Sequence, residues 1–138
     1  MSDPAPATNL KSSSRPRKRL LLVDDNLEGR RALARLLELY GFEVTAVGDG
    51  SSAIEALHRT PPPEFVLTDL LLPDLDGREV VRRARELRPV PTIAMITGWD
   101  LGAEGLTSQD AGVDLLFLKP LNVGELVNKL NEQRPAAD

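Results

Sequence analysis

The sequence predicts an α/β domain built on a doubly wound, all-parallel sheet, and three observations carry that prediction. Five short apolar runs rich in Leu, Val, Ile and Phe read as buried strands. Stretches with apolar residues at helical spacing separate them. The connections are short and punctuated by Gly, Pro, Asn and Asp. Strand and helix alternating in this way specify a parallel sheet covered on both faces.

Leu20–Val23 is the first strand. Asn26 is placed to cap the helix that follows, in which Leu33, Leu36, Leu37 and Tyr40 share one face. Gly41 ends that helix where a left-handed backbone is favoured. Phe42–Val47 is the second strand. Asp49-Gly50 leads into a helix over Ser51–Arg59, which Pro61-Pro62-Pro63 prevents from continuing. Phe65–Thr68 is the third strand. Asp76 and Glu79 have the spacing of a capping box for a helix with Val80, Ala84 and Leu87 inward. Pro89 and Pro91 break that helix before the fourth strand, Thr92–Ile96. A helix over Trp99–Ala111 is the weakest element, because Gly102 and Gly105 each cost ~1 kcal/mol relative to Ala. Leu115–Leu118 is the fifth strand. Asn122 and Glu125 cap a fifth helix with Val123, Leu126, Val127 and Leu130 on one face.

Right-handed crossovers leave few topologies for five strands and five helices. The flavodoxin-like order 2-1-3-4-5 sets the first and third strands side by side at the switch point, where ligands bind beyond the carboxyl ends. The 138 residues are enough for one domain with its own core. We expect an ordered domain over residues 17–133, between a disordered basic tail at 1–16 and a disordered tail at 134–138. In the first 19 residues Lys11, Arg15, Arg17, Lys18 and Arg19 face only Asp3, yet the whole chain carries a net charge of −4. An acidic body with a short basic arm does not read as a nucleic-acid binder. Cysteine is absent, which excludes disulfides and thiolate metal sites. No run approaches the ~18 apolar residues of a membrane span, so a cytoplasmic protein is expected.

Polar residues stand at the ends of four strands. Asp24-Asp25 follows the first, Asp69 the third, Thr97 the fourth and Lys119 the fifth. In a parallel sheet these residues gather at one edge, bringing three carboxylates, a hydroxyl and an ammonium into one pocket. Carboxylates packed together repel unless a cation neutralises them. A donor set of oxygens without His or Cys favours a hard ion such as Mg²⁺. Lys119 supplies a mobile charge for a phosphoryl oxygen and Thr97 a hydroxyl for another. Asp69 can then act as a nucleophile that forms an aspartyl phosphate.

These residues resemble the CheY-like receiver domain of two-component response regulators, over roughly Arg17 to Gln133. Four pieces carry the resemblance: Val23-Asp24-Asp25-Asn26, Asp69-Leu70-Leu71-Leu72-Pro73-Asp74-Leu75-Asp76-Gly77, Ile96-Thr97-Gly98 and Lys119-Pro120. The resemblance implies that Asp69 is the phosphoacceptor, taking its phosphoryl group from a sensor histidine kinase or a histidine phosphotransfer protein. It implies that Mg²⁺ is held by Asp25, Asp69 and the backbone carbonyl of Leu71, with Asp24 acting largely through water. Thr97 would move toward the phosphoryl group, Lys119 would pair with it, and Gly98 would keep the approach open. The Lys119–Pro120 bond is expected to be cis, an isomer accessible to proline. Such a protein is not an enzyme in the ordinary sense, since it catalyses only its own phosphorylation and dephosphorylation. It would signal by binding a downstream protein target, and a phosphorylation-dependent dimer fits the same scheme. No second periodic domain follows Leu130, so output would pass through a partner.

Three positions depart from the family pattern. Many receivers carry Tyr or Phe three residues before the lysine, where this chain has Leu116. Phe117 alternates to the opposite face of the strand. Leu71 and Trp99 are bulky and apolar at positions that tune hydrolysis of the aspartyl phosphate, so a long-lived phosphorylated form is expected. His58 reads as solvent-facing, and Arg82, Arg83, Arg85 and Arg88 as the wet side of the third helix. Competing readings are a receiver-fold scaffold that is never phosphorylated and a receiver excised from a hybrid histidine kinase. A flavodoxin-type FMN carrier is disfavoured because Asp24-Asp25-Asn26 would repel the cofactor phosphate. A phosphohydrolase is disfavoured because Leu71 stands where a second acid would be needed.

Overall fold

A computed structural model of the chain describes residues 17–98, 107 and 111–133. Its elements in chain order are β1 (Lys18–Val23), α1 (Leu27–Leu39), β2 (Phe42–Val47), α2 (Gly50–Leu57) and β3 (Phe65–Asp69). They are followed by α3 (Gly77–Ala84), β4 (Thr92–Thr97), β5 (Leu115–Leu118) and α4 (Val123–Glu132). All neighbouring strands pair in parallel, in the order β2-β1-β3-β4-β5. This is the expected 2-1-3-4-5 topology.

Alternation along the strands divides the core into two layers. Leu21, Val23, Val66, Ile93 and Met95 pack with Ala53 and Leu57 of α2 and with Val80, Val81 and Ala84 of α3. Leu20, Leu22, Phe65, Leu67, Ala94 and Ile96 pack on the other side with Leu33 and Leu37 of α1 and with Leu126, Val127 and Leu130 of α4. Every residue of β3 and β4 is buried, as befits central strands of a parallel sheet. Each fully buried Leu, Ile or Phe contributes ~1.5–3 kcal/mol relative to exposure. The rings of Phe42 and Phe65 meet edge to face with centroids 5.4 Å apart, joining β2 to β3 beneath α1. Leu116 lies in the α2/α3 layer and Phe117 in the α1/α4 layer, so the two residues do face opposite ways.

The helix starts follow their caps. Asn26 accepts a hydrogen bond from the Gly29 amide at 2.7 Å, Asp49 from Ser52 at 2.7 Å and Asn122 from Glu125 at 2.9 Å. Gly41 has φ 99°, which its lack of Cβ permits. α2 runs from Gly50 to Leu57 rather than from Ser51 to Arg59. The Asp76–Glu79 capping box does not form. Asp76 caps through the Arg78 amide at 2.8 Å, and the Glu79 carboxylate is taken by Arg82 and Arg83. The four-residue apolar face of α1 is also narrower than expected. Leu33 and Leu37 are buried, but Leu36 and Tyr40 are exposed, because α1 packs mainly on the edge strand β2 and turns Leu33, Ala34 and Leu37 to the core. His58 is exposed, as expected, with its Nδ1 2.9 Å from the Ile54 carbonyl. Of the Trp99–Ala111 helix, Trp99–Leu106 and residues 108–110 lie outside the described residues. The Ala111 amide donates to the Thr107 carbonyl at 3.1 Å, the spacing of one helical turn. The two tails also lie outside the described residues. Among the described residues no helix is long and apolar enough to cross a membrane.

Candidate metal centre

Four strands deliver the site. Asp24 and Asp25 leave β1, Asp69 and Thr97 end β3 and β4, and Lys119 follows β5. Register keeps these ends together. The Leu70 amide donates to the Ile96 carbonyl at 3.0 Å and the Lys119 amide to the Thr97 carbonyl at 3.0 Å. Asp24, Asp25 and Asp69 each offer a carboxylate oxygen, and these oxygens all lie within 4.8 Å of one another. Asp24 and Asp69 are buried, whereas Asp25 is exposed. Asp25, Asp69, Leu71, Thr97, Gly98 and Lys119 line a cavity of about 270 Å³ with Leu70 and Ile96 as apolar wall.

The electrostatics of this cluster are unbalanced. Among the described residues, the buried Asp69 Oδ1 and the Thr97 hydroxyl have no hydrogen-bond partner. Lys119 Nζ stands 3.5 Å from Asp69 Oδ1, within ion-pair range, but its side chain is half exposed and its charge is shared with solvent. Burial pushes the Asp69 carboxyl up to about 7, with the nearby Asp24 carboxylate adding to the rise and Lys119 opposing it. Three oxygen donors with too little positive charge among them make a site that fits a hard divalent cation.

Neighbouring residues fix the geometry. Asp24 Oδ1 accepts the Asn26 amide at 3.0 Å. The Arg30 guanidinium donates to the Asp24 carbonyl at 2.8 Å and fills the space over Gly48, where a Cβ would stand 2.6 Å from Nη1. At the start of α3, Gly77 donates to the Leu70 carbonyl at 2.6 Å, and a Cβ there would collide with the Asp69 carbonyl. Arg30 and Gly77 were not singled out from the sequence as positioning residues. Gly77 had a legible cue, since glycine just inside a helix start is disfavoured unless backbone must approach closely. Nothing in the sequence ties Arg30 to the Asp24 carbonyl. A Cβ at Gly98 would meet no atom of the described residues within 4 Å, so its small size leaves room in the cavity rather than relieving packing. Leu71 is 67% exposed at the cavity rim. The Lys119–Pro120 bond is cis. Trp99 lies outside the described residues.

Residues 20–131 match the model of the response regulator receiver domain. The response regulator receiver protein CpdR of Brucella abortus is 40% identical over 121 residues, covering 87% of this chain and 99% of that protein. The response regulator MprA of Mycobacterium leprae is 36% identical over 81% of this chain but only 49% of its own length. The chain therefore spans nearly all of one relative and about half of the other. Among solved structures, a CheY-like receiver domain protein from Methanospirillum hungatei superposes with a TM-score of 0.71 at 31% identity, covering 85% of this chain and 93% of that one. The response regulator TrrA of Thermotoga maritima, solved in complex with Mg²⁺ and BeF, gives a TM-score of 0.72 at 26% identity, covering 85% and 99%. The matched segment runs from β1 through nearly all of α4 and includes every residue of the carboxylate cluster, so the chain belongs to the response regulator receiver domain family.

Proposed function

We propose that Asp69 is the phosphoacceptor of this receiver and that Asp24, Asp25, Asp69 and the Leu71 carbonyl hold Mg²⁺ beside it. The observation that carries the reading is a buried carboxylate oxygen with no hydrogen-bond partner among the described residues, within reach of Lys119 and clustered with two further acids. In the reaction an Asp69 oxygen attacks the phosphorus of a phosphohistidine. The O–P bond forms as the N–P bond breaks, and the imidazole leaves and takes up a proton. The metal, when bound, would offset charge on the transferred group.

The remaining roles fall to side chains of this chain. Lys119 pairs with one phosphoryl oxygen, and the Thr97 hydroxyl donates to another. Gly98 leaves the cavity wide enough for the phosphoryl group. Once Thr97 and Lys119 are drawn inward, the surface near β5 changes and a downstream protein reads it. The donor is a sensor histidine kinase or a histidine phosphotransfer protein, which puts the chain in the cytoplasm. The test is intact-mass analysis after incubation with acetyl phosphate and magnesium chloride. Wild type should gain one phosphoryl group and Asp69→Asn none; equal mass gains for the two would defeat the proposal.

A further inference from the structure

The β3–α3 loop carries Asp69 at one end and Leu71 along the cavity wall, and its ends are held by backbone contacts. Leu71 bridges Asp76, and the Leu70 carbonyl accepts the Gly77 amide. Its middle is held differently. The Asp74 carboxylate reaches the start of α2 and accepts from the Gly50 amide at 2.8 Å, the Ser51 amide at 2.9 Å and the Ser51 hydroxyl at 2.8 Å. Leu75 packs directly over Gly50, where any Cβ would collide with it.

A helix start leaves four amides without intrahelical partners. Asp49 already serves α2 as its own cap through Ser52. Asp74 is a second cap contributed from more than twenty residues away. Its carboxyl is held below the usual carboxylate range by the Gly50 amide first, then by the Ser51 amide and hydroxyl. The carboxylate also lies at the positive end of the helix. A local cap needs only local residues, so the distant one ties two parts of the fold together.

Building on the magnesium-site reading above, we propose that Asp74 is a positioning residue for that site and couples the first turn of α2 to it. With Asp74 bound to Gly50 and Ser51, the loop presents Leu71 beside Asp25 and Asp69 before any ion arrives. Without that contact, ordering of the loop is charged against metal binding and affinity falls. Linkage requires the reverse effect as well: an ion at the carboxylates must hold the Asp74 contact closed.

The test uses the full chain and magnesium chloride. Titration calorimetry should give a Kd for Asp74→Ala about tenfold weaker than for wild type, the usual scale for residues that orient ligands from behind. Ser51→Ala, which removes one donor and keeps Asp49 as cap, should weaken it about twofold. In wild type, magnesium should slow hydrogen exchange at the Gly50 and Ser51 amides, and Asp74→Ala should lose that response. A residue that only stabilises α2 would lower Tm while leaving the Kd unchanged, and that result would overturn the proposal. If Asp74→Ala fails to fold, wild-type exchange insensitive to magnesium, or an unchanged Kd in Ser51→Ala, overturns it equally. Absence of magnesium binding by wild type defeats the metal-site reading together with this one. Binding that Asp74→Ala leaves intact defeats this one alone.

Discussion

The two ends of the same sheet treat charge in opposite ways. At the amino ends of the strands two acids each meet an arginine. Arg19 pairs with Glu64 at 3.3 Å and donates to the Pro62 carbonyl at 2.7 Å. Asp114 accepts the Ile93 amide at 2.8 Å and faces Arg85 at 3.7 Å. At the carboxyl ends, among the described residues, three acids crowd together, one half-exposed lysine answers them, and two buried oxygens have no hydrogen-bond partner. The difference lies in side-chain chemistry placed at the strand termini. An end whose charges are satisfied holds the fold. An end left unbalanced is ready for a ligand that supplies what is missing.

Perturbing one end and then the other should separate these roles. The largest contrast is between Asp25→Asn and Glu64→Gln. The first should weaken magnesium binding on the order of a hundredfold, because it removes one of few charged donors. The second should leave binding and phosphorylation by acetyl phosphate unchanged; calorimetry and phosphoryl incorporation check both, and equal effects would erase the distinction. Next, Lys119→Ala should slow phosphorylation by about a hundredfold, the scale of losing one electrostatic group at a transferring centre, while magnesium still binds. A rate within twofold of wild type would remove Lys119 from the mechanism.

The third effect is on stability. The Asp69 carboxyl titrates near 7 in the folded state, above its usual 3.8. Between those values the folded chain holds a proton that the unfolded chain releases, so metal-free wild type loses stability as pH rises through that window. Asp69→Asn should therefore melt several degrees higher at pH 8, since about 1 kcal/mol moves Tm by ~4 °C in a domain of this size. The gain should vanish by pH 4, and magnesium should shrink it at pH 8. A Tm difference independent of pH would contradict the unbalanced charge. The smallest effect concerns water. Leu71→Asn replaces an apolar side chain at the cavity rim with a polar one and should shorten the phosphoryl lifetime about fivefold, on the order of 1 kcal/mol in barrier. A lifetime unchanged by the substitution removes Leu71 from the control of hydrolysis.

Much of this was legible in the sequence because each charged or hydroxyl-bearing site residue stands one or two places beyond an apolar run. Asp69 and Thr97 need only the strand direction and the 2-1-3-4-5 order to meet. Other features depend on tertiary neighbours. The spacing of Leu36 and Tyr40 matches that of Leu33 and Leu37, yet only the latter pair meets the sheet. Glu79 has capping-box spacing but finds two arginines closer. The Asp74 carboxylate serves a helix that begins 24 residues earlier, and no local pattern encodes such a partner.

The most direct measurement of the central claim is peptide-level mapping of the phosphoryl group after incubation with acetyl phosphate, with magnesium or with a chelator. The account predicts label on Asp69 alone, present with magnesium and absent with the chelator. Label on any other residue, or label on Asp69 that forms equally well without the metal, would contradict it.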